Sequence, residues 1–274
     1  MSFLKAILLG ILQGLTEFLP VSSSGHIMLF SEILNMDLEG GILSAFTVTL
    51  HAGTLMAVGL WYIKPLLYML AHPIKSDLKW LVVATLPTVI YALILKWTGL
   101  ETTLDACARG MLPYAFLLTA VFLLLCDGIA KNRRIARNTH SSVRFTDALR
   151  MGLMQCIGTF SGVSRSGSTL TGGIASGLER RKAADFCFLM SVPASCGAIV
   201  LECGEAFENP ASVELLKQNM LPVIAGVLAA FLVGMAAIAL MLKLVKKTKL
   251  KWFSLYLLLL AVLVIVNDFV GIWA

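Results

Sequence analysis

The sequence predicts an all-α integral membrane protein: six transmembrane helices plus two re-entrant helix hairpins, arranged as an inverted-topology repeat. Three observations carry that expectation. The 274 residues are 58% hydrophobic and only 14% charged, whereas average soluble domains are about 45–50% apolar and about 25% charged. Six apolar stretches are long enough to cross a bilayer, which takes about 20 residues each. Two further apolar stretches are interrupted in the middle by polar residues, and those two are related to each other. The composition excludes disorder, a coiled coil and a disulfide scaffold. A soluble fold of this length could not cover so much apolar surface with so little charge. Lipid admits only spans whose backbone hydrogen bonds close internally.

In chain order, the first interrupted stretch covers 2–36 and breaks at Leu-Pro-Val-Ser-Ser-Ser-Gly-His, residues 19–26. Spans follow at 43–63, 80–97 and 111–130. The second interrupted stretch covers 148–178 and breaks at Ser-Gly-Val-Ser-Arg-Ser-Gly-Ser-Thr, residues 161–169. Spans at 184–203, 220–242 and 252–272 complete the chain. Helix, polar break and helix in so short a stretch read as a re-entrant hairpin. Irregular backbone survives at membrane depth only where it lines a cavity or is buried in protein. Pro87, Pro113, Pro193 and Pro222 kink spans or mark their starts.

The two breaks align at an offset of 142. Gly10 then meets Gly152, Gln13 meets Gln155, Phe18 meets Phe160 and Val21 meets Val163. Ser22 meets Ser164, Ser24 meets Ser166 and Gly25 meets Gly167. These seven ungapped identities imply an internal repeat, about 1–130 and about 146–274, within a single membrane domain spanning 1–274. Each half holds one hairpin and three spans. Three is odd, so the second half enters the membrane from the opposite side. Such a repeat places its site at the interface near the midplane.

The net charge of +6 is a topology signal rather than a nucleic-acid footprint. Segments 64–79, 131–150, 179–185 and 243–251 fall on one side and hold 17 of the 22 Lys and Arg. By the positive-inside rule that side is cytoplasmic. Both termini and the opening of the first hairpin then face the exterior. Binding of the basic segments to anionic lipid is compatible with the same topology. No separate signal peptide is expected, because the apolar run from Met1 to Leu19 leads into polar chemistry rather than a small-residue cleavage site. Cys107, Cys126, Cys156, Cys187, Cys196 and Cys203 show no metal spacing and read as apolar packing residues.

Ionisable residues at membrane depth are functional candidates. Glu17, His26 and Arg165 lie at the breaks, and His51 lies in the first full span. Ser22, Ser23, Ser24 and Gly25 open a helix, where serine also serves as a plain N-cap. Free N–H groups at a helix start bind phosphate oxygens. Ser164, Arg165, Ser166 and Gly167 repeat the device, and Arg165 can grip a phosphate with two donors. Two helix starts, one arginine and many hydroxyls suit a phosphate-bearing anion. Arg165 could instead simply pair with Glu17. A carboxylate beside a phosphate needs a cation or proton between them. Glu17, with the Gln13 amide one turn away on the same face, could hold Mg²⁺ or Ca²⁺, which take oxygen ligands. Alternatively, Glu17 orients His26. His51 more simply bonds a neighbouring helix, and His72 and His140 belong to loops without a special role.

At these breaks the sequence resembles the undecaprenyl-diphosphate phosphatase family, also called bacitracin-resistance proteins. The first family motif stands here as Gln13 and Glu17 followed by Pro20-Val21-Ser22-Ser23-Ser24-Gly25-His26. The second stands as Ser161-Gly162-Val163-Ser164-Arg165-Ser166-Gly167-Ser168-Thr169. Gln13 takes the amide option at the first acidic position, which weakens metal binding there. Ser161 replaces a proline, which removes no reacting group. The layout fits along essentially the whole chain.

The resemblance implies hydrolysis of the C55 lipid diphosphate to the monophosphate carrier used in bacterial wall synthesis, on the outer side of the membrane, with a divalent cation. It implies Ser23 as nucleophile and His26 as its base or later acid, one helical turn on. It implies Glu17 supporting the metal or His26, and Arg165 with Ser164 and Thr169 holding phosphate. Ser22, Ser24, Gly25 and Ser166 complete the phosphate-binding set, and Glu17 and Gln13 the metal set. The other assignment makes His26 the nucleophile. The expected partners are the polyprenyl diphosphate lipid and the bacterial plasma membrane, with a homodimer as an option and no nucleic acid. The membrane lipid phosphatases related to vanadium haloperoxidases are excluded, because they need a His and Asp downstream of Ser-Arg and no His follows Arg165. The non-enzymatic rival is a flippase for a polyprenyl phosphate carrier, since broken helices in inverted repeats are also a transporter architecture.

Overall fold

The computed structural model describes residues 2–34, 42–131, 139–208, 214, 216–247, 250–271 and 273. The end of the stretch 2–36, the basic residues Arg133, Arg134, Arg137 and Lys249, and residue 272 of the last expected span lie outside the described residues. Eleven helices form the frame among those described. They are α1 (Phe3–Phe18), α2 (Ser23–Ile33), α3 (Ile42–Trp61), α4 (Ile63–Ala71), α5 (Leu78–Thr98), α6 (Leu100–Lys131), α7 (Phe145–Gly158), α8 (Arg165–Ala175), α9 (Arg180–Glu208), α10 (Met220–Lys247) and α11 (Lys251–Val270). No strand occurs among the described residues, apart from one isolated bridge between His140 and Leu178.

Both expected breaks are present: α1 and α2 flank the first, α7 and α8 the second. Five helices are long and apolar enough to cross a membrane, or six if the bent pair α3 and α4 is one span. Residues 64–79 fall between the expected spans, and α4 fills the first half of that segment. The 71° bend between α3 and α4 has its cause in Pro65. That residue has no N–H to offer the Trp61 carbonyl, and its ring would clash there. Restarting the helix at Ile63 places Pro65 in a first turn, where no donor is needed. Pro87, Pro113 and Pro193 lie inside α5, α6 and α9.

The two halves exchange their packing. Helix α1 lies against α10, and helix α7 lies against α5. Glycine makes both approaches close. A Cβ at Gly10 would collide with the Gly226 carbonyl, and one at Gly152 with the Ala84 carbonyl. Positions 10 and 152 differ by the repeat offset, and so do 84 and 226. Small residues that let backbones touch are the usual glue between helices in lipid, where burial of apolar side chains gives no net drive.

The polar groups sort to the ends and the centre. At one end Arg109 bonds Glu32 and, at 2.9 Å, Asp268, tying α2, α6 and α11 together. At the other end Arg180 bonds Asp127 at 2.7 Å, Lys182 bonds Asp77 at 2.6 Å, and Asp185 accepts from Arg181 and Tyr62. His140 has a structural task there that its loop position did not suggest. It bonds Asp147 at 2.8 Å, and Asp147 also accepts from the Arg144 N–H at the start of α7. The described cysteines are free thiols.

Candidate active site

α1 stops before Pro20, which cannot continue its hydrogen-bond ladder. The chain turns through Leu19–Ser22 and restarts as α2. Ser22 caps α2, with its hydroxyl accepting from the Gly25 N–H at 3.3 Å. Its φ of 73° is the left-handed region that a side chain disfavours. Such strain persists only where the surroundings fix it. Here the Ser22 carbonyl accepts from His26 Nδ1 at 2.7 Å. A carbonyl only accepts, so Nδ1 carries the proton and Nε2 accepts from the Tyr256 hydroxyl at 2.6 Å. The His26 ring is buried between Phe116 and Tyr256.

The turn directs Ser23 back onto α1 rather than onto His26. Its Oγ donates to Glu17 Oε2 at 2.5 Å. Gln13, one turn earlier, donates to the same oxygen at 3.2 Å and meets His51 Nδ1 at 3.0 Å. His51 Nδ1 stands 3.8 Å from Glu17. The other carboxylate oxygen faces Arg165 Nη2 at 3.8 Å, and Arg165 Nη1 donates to Ser195 at 3.2 Å. Glu17 thus joins Ser23 of the first break to Arg165 of the second. His26 bonds neither of them. His51 belongs to the cluster itself, through its contact with Gln13.

The second break repeats the first in its local chemistry. Ser164 caps α8 by accepting from the Gly167 N–H at 3.0 Å. Ser168, the counterpart of His26, bonds the Ser164 carbonyl at 2.8 Å, just as His26 bonds that of Ser22. The breaks also touch each other reciprocally. Ser24 accepts the Gly162 N–H at 3.2 Å, and Ser166 donates to the Leu19 carbonyl at 3.1 Å. The two peptide units are equivalent by the repeat. Pro20 supplies no N–H, so Ser166 takes the carbonyl instead.

Between the breaks lies a small open cavity. Glu17, Phe18, Gln155, Arg165, Ser166, Thr169, Cys187, Phe188 and Ser191 line it. Of the expected phosphate ligands, Ser166 and Thr169 reach this cavity with Arg165. Ser22 and Ser164 spend their hydroxyls on helix caps, and Gly25 gives its N–H to Ser22 and packs against Phe116. Thr169 also meets the Cys187 thiol at 2.8 Å.

Among the described residues no three His, Cys, Asp or Glu converge as a metal cage. A hard cation that keeps waters and phosphate oxygens needs only one or two protein ligands. The Glu17 carboxylate and the Gln13 amide oxygen, buried and without a partner, fit that requirement. Gln13 turns its nitrogen toward Glu17 here, so joint ligation requires its amide to turn over.

A family model described as Bacitracin resistance protein BacA matches residues 6–263. The chain is 34% identical over 274 residues to undecaprenyl-diphosphatase 4 of Bacillus thuringiensis subsp. konkukian, covering all of both chains. It is 33% identical over 271 residues to undecaprenyl-diphosphatase of Carboxydothermus hydrogenoformans, with 99% of each covered. It is 35% identical over 273 residues to undecaprenyl-diphosphatase of Treponema denticola, with 94% of each covered.

Proposed function

The chain belongs to the bacitracin resistance protein family, and on that premise we propose that it hydrolyses undecaprenyl diphosphate to undecaprenyl phosphate and inorganic phosphate. This recycles the lipid carrier of bacterial cell-wall synthesis, and bacitracin resistance is consistent with the family. The observation that carries the reading at the level of residues is the Ser23 hydroxyl held 2.5 Å from Glu17, with Arg165 on the far side of that carboxylate.

Ser23 Oγ attacks the terminal phosphorus. The Oγ–P bond forms as the bond from that phosphorus to the bridging oxygen breaks, and lipid phosphate leaves with the electron pair. The proton of Ser23 passes to Glu17, which then yields it to the departing phosphate. A serine needs such a base, and the contact with Ser23 favours Glu17 over His26 for that role. His26 and Tyr256 hold the Ser22 turn that directs Ser23. Arg165, Ser166 and Thr169 take the phosphate oxygens and offset the charge that grows in the transition state. A divalent cation would be held by Glu17 and Gln13, and when bound it supplies charge neutralisation between carboxylate and phosphate. EDTA should therefore abolish phosphate release by the purified protein in detergent, and Glu17→Gln should raise the Mg²⁺ concentration for half activity. Full activity in chelator removes the cation from the reaction. Hydrolysis in detergent, where there is no membrane to cross, also separates this reading from a flippase.

The reciprocal contacts at Gly10 and Gly152, and at Ser24 and Ser166, support an inverted-topology repeat of two re-entrant hairpins within one domain. The protein then lies in the bacterial plasma membrane with its termini and site opening outward. The residues of the candidate site all belong to one chain. A cysteine introduced near residue 207 should react with an impermeant maleimide from outside the cell, and one near residue 138 should not. The reverse labelling pattern overturns the orientation. Residue 138 lies outside the described residues.

A further inference from the structure

Gln155 is the second-repeat counterpart of Gln13, and the reaction as described leaves it idle. Its side chain is 1% exposed and lines the cavity with Glu17, Arg165, Ser166 and Thr169. Its amide nitrogen is held by the Thr88 hydroxyl at 3.0 Å. Its carbonyl oxygen is buried and has no partner. A buried acceptor left unpaired costs about 1–3 kcal/mol, so such an atom points to something that donates to it. Phosphate oxygens cannot, since they accept as well. A water molecule can. The cavity has room for one, and its walls offer the two to four polar partners that an internal water needs.

We propose that Gln155 Oε1 binds the hydrolytic water. The proposal rests on Ser23 as nucleophile and concerns the second half of that reaction, the removal of phosphate from Ser23. One water hydrogen bonds Gln155 and the other bonds Glu17. The water oxygen attacks the phosphorus on Ser23, forming one O–P bond as the Oγ–P bond breaks. The water's proton passes to Glu17 and from there to Ser23 Oγ. Inorganic phosphate leaves, and the site returns to its starting state with no co-reactant beyond water. With the amide nitrogen on Thr88, the oxygen is the end of the side chain left without a partner.

Gln155→Met keeps the length of the side chain and removes the acceptor. With undecaprenyl diphosphate and rapid acid quench, this variant should release the first equivalent of lipid phosphate near the wild-type rate. It should then stall, with inorganic phosphate release slowed on the order of a hundredfold and an acid-stable phosphoenzyme accumulating. A residue that only packs would slow both products together and leave no phosphoenzyme. Gln155→Asn draws the oxygen back while keeping the amide, and should show the same imbalance if the methionine variant fails to fold. Equal slowing of both products in the folded variants overturns the proposal. So does a shift in the Mg²⁺ requirement without phosphoenzyme, which would make the oxygen a cation ligand. Failure of the underlying Ser23 reading has its own signature. Direct attack by water would hydrolyse a substrate chiral at the terminal phosphorus with inversion, and attack by His26 would leave an acid-labile phosphoenzyme, whereas two displacements through Ser23 give retention and an acid-stable one.

Discussion

Replacing Ser23 by alanine should lower single-turnover hydrolysis by several orders of magnitude, and Arg165→Ala should do the same. A nucleophile and a charge stabiliser each account for a few kcal/mol of barrier reduction. The losses should not add in the double variant, because groups that act as a unit are non-additive. Glu17 is the physical link between them, bonded to Ser23 on one oxygen and facing Arg165 on the other. Binding separates the two roles. A methylene-bridged analogue of the lipid diphosphate should still bind Ser23→Ala, since the Arg165, Ser166 and Thr169 groups remain. It should bind Arg165→Ala more weakly, because the guanidinium that lines the cavity is lost. Equal binding by both variants would take phosphate recognition away from Arg165.

Glu17→Ala should be nearly as damaging as Ser23→Ala. General-base catalysis is worth about 10²–10⁴-fold, and loss of the carboxylate also releases Ser23, Gln13 and His51 from their common partner. His26→Asn should behave differently. A shorter amide can still donate to the Ser22 carbonyl, so part of the turn's support survives while the imidazole is gone. If Glu17 is the base, His26→Asn retains far more activity than Glu17→Ala, and Tyr256→Phe resembles His26→Asn in kcat and KM. An inactive His26→Asn beside an active Glu17→Ala would return the proton transfer to His26.

The helices and the two breaks were legible in the sequence, because each is written in local chemistry. Apolar runs reveal the helices, Pro20 and the serines mark the breaks, and seven identities at one offset relate the halves. Gly10 and Gly152 lay within that alignment, yet their partners 226 and 84 are set by tertiary packing that no local pattern encodes. The gathering of Glu17, Ser23 and Arg165 near one cavity was expected. The partner of Ser23 was not. Ser23 and His26 are one turn apart, but Ser23 is the first residue of α2 and turns back to α1, while His26 turns toward Tyr256, 230 positions away. Spacing along one helix carries no information about two such distant neighbours. His51 was legible as an intramembrane histidine, and only its contact with Gln13 brings it into the site. Gln155 was visible through its match to Gln13, and its unpaired oxygen became visible only with Thr88 in place. The bend between α3 and α4 has a local signal in Pro65.

The most direct test of Ser23 as the attacking atom is the site of covalent phosphate after a rapid quench with labelled undecaprenyl diphosphate. The phosphate should be acid-stable and map to the peptide carrying Ser23, and it should be absent from Ser23→Ala. An acid-labile phosphate on His26, in a Ser23→Ala variant that still hydrolyses at near the wild-type rate, would contradict the account and make the imidazole the nucleophile.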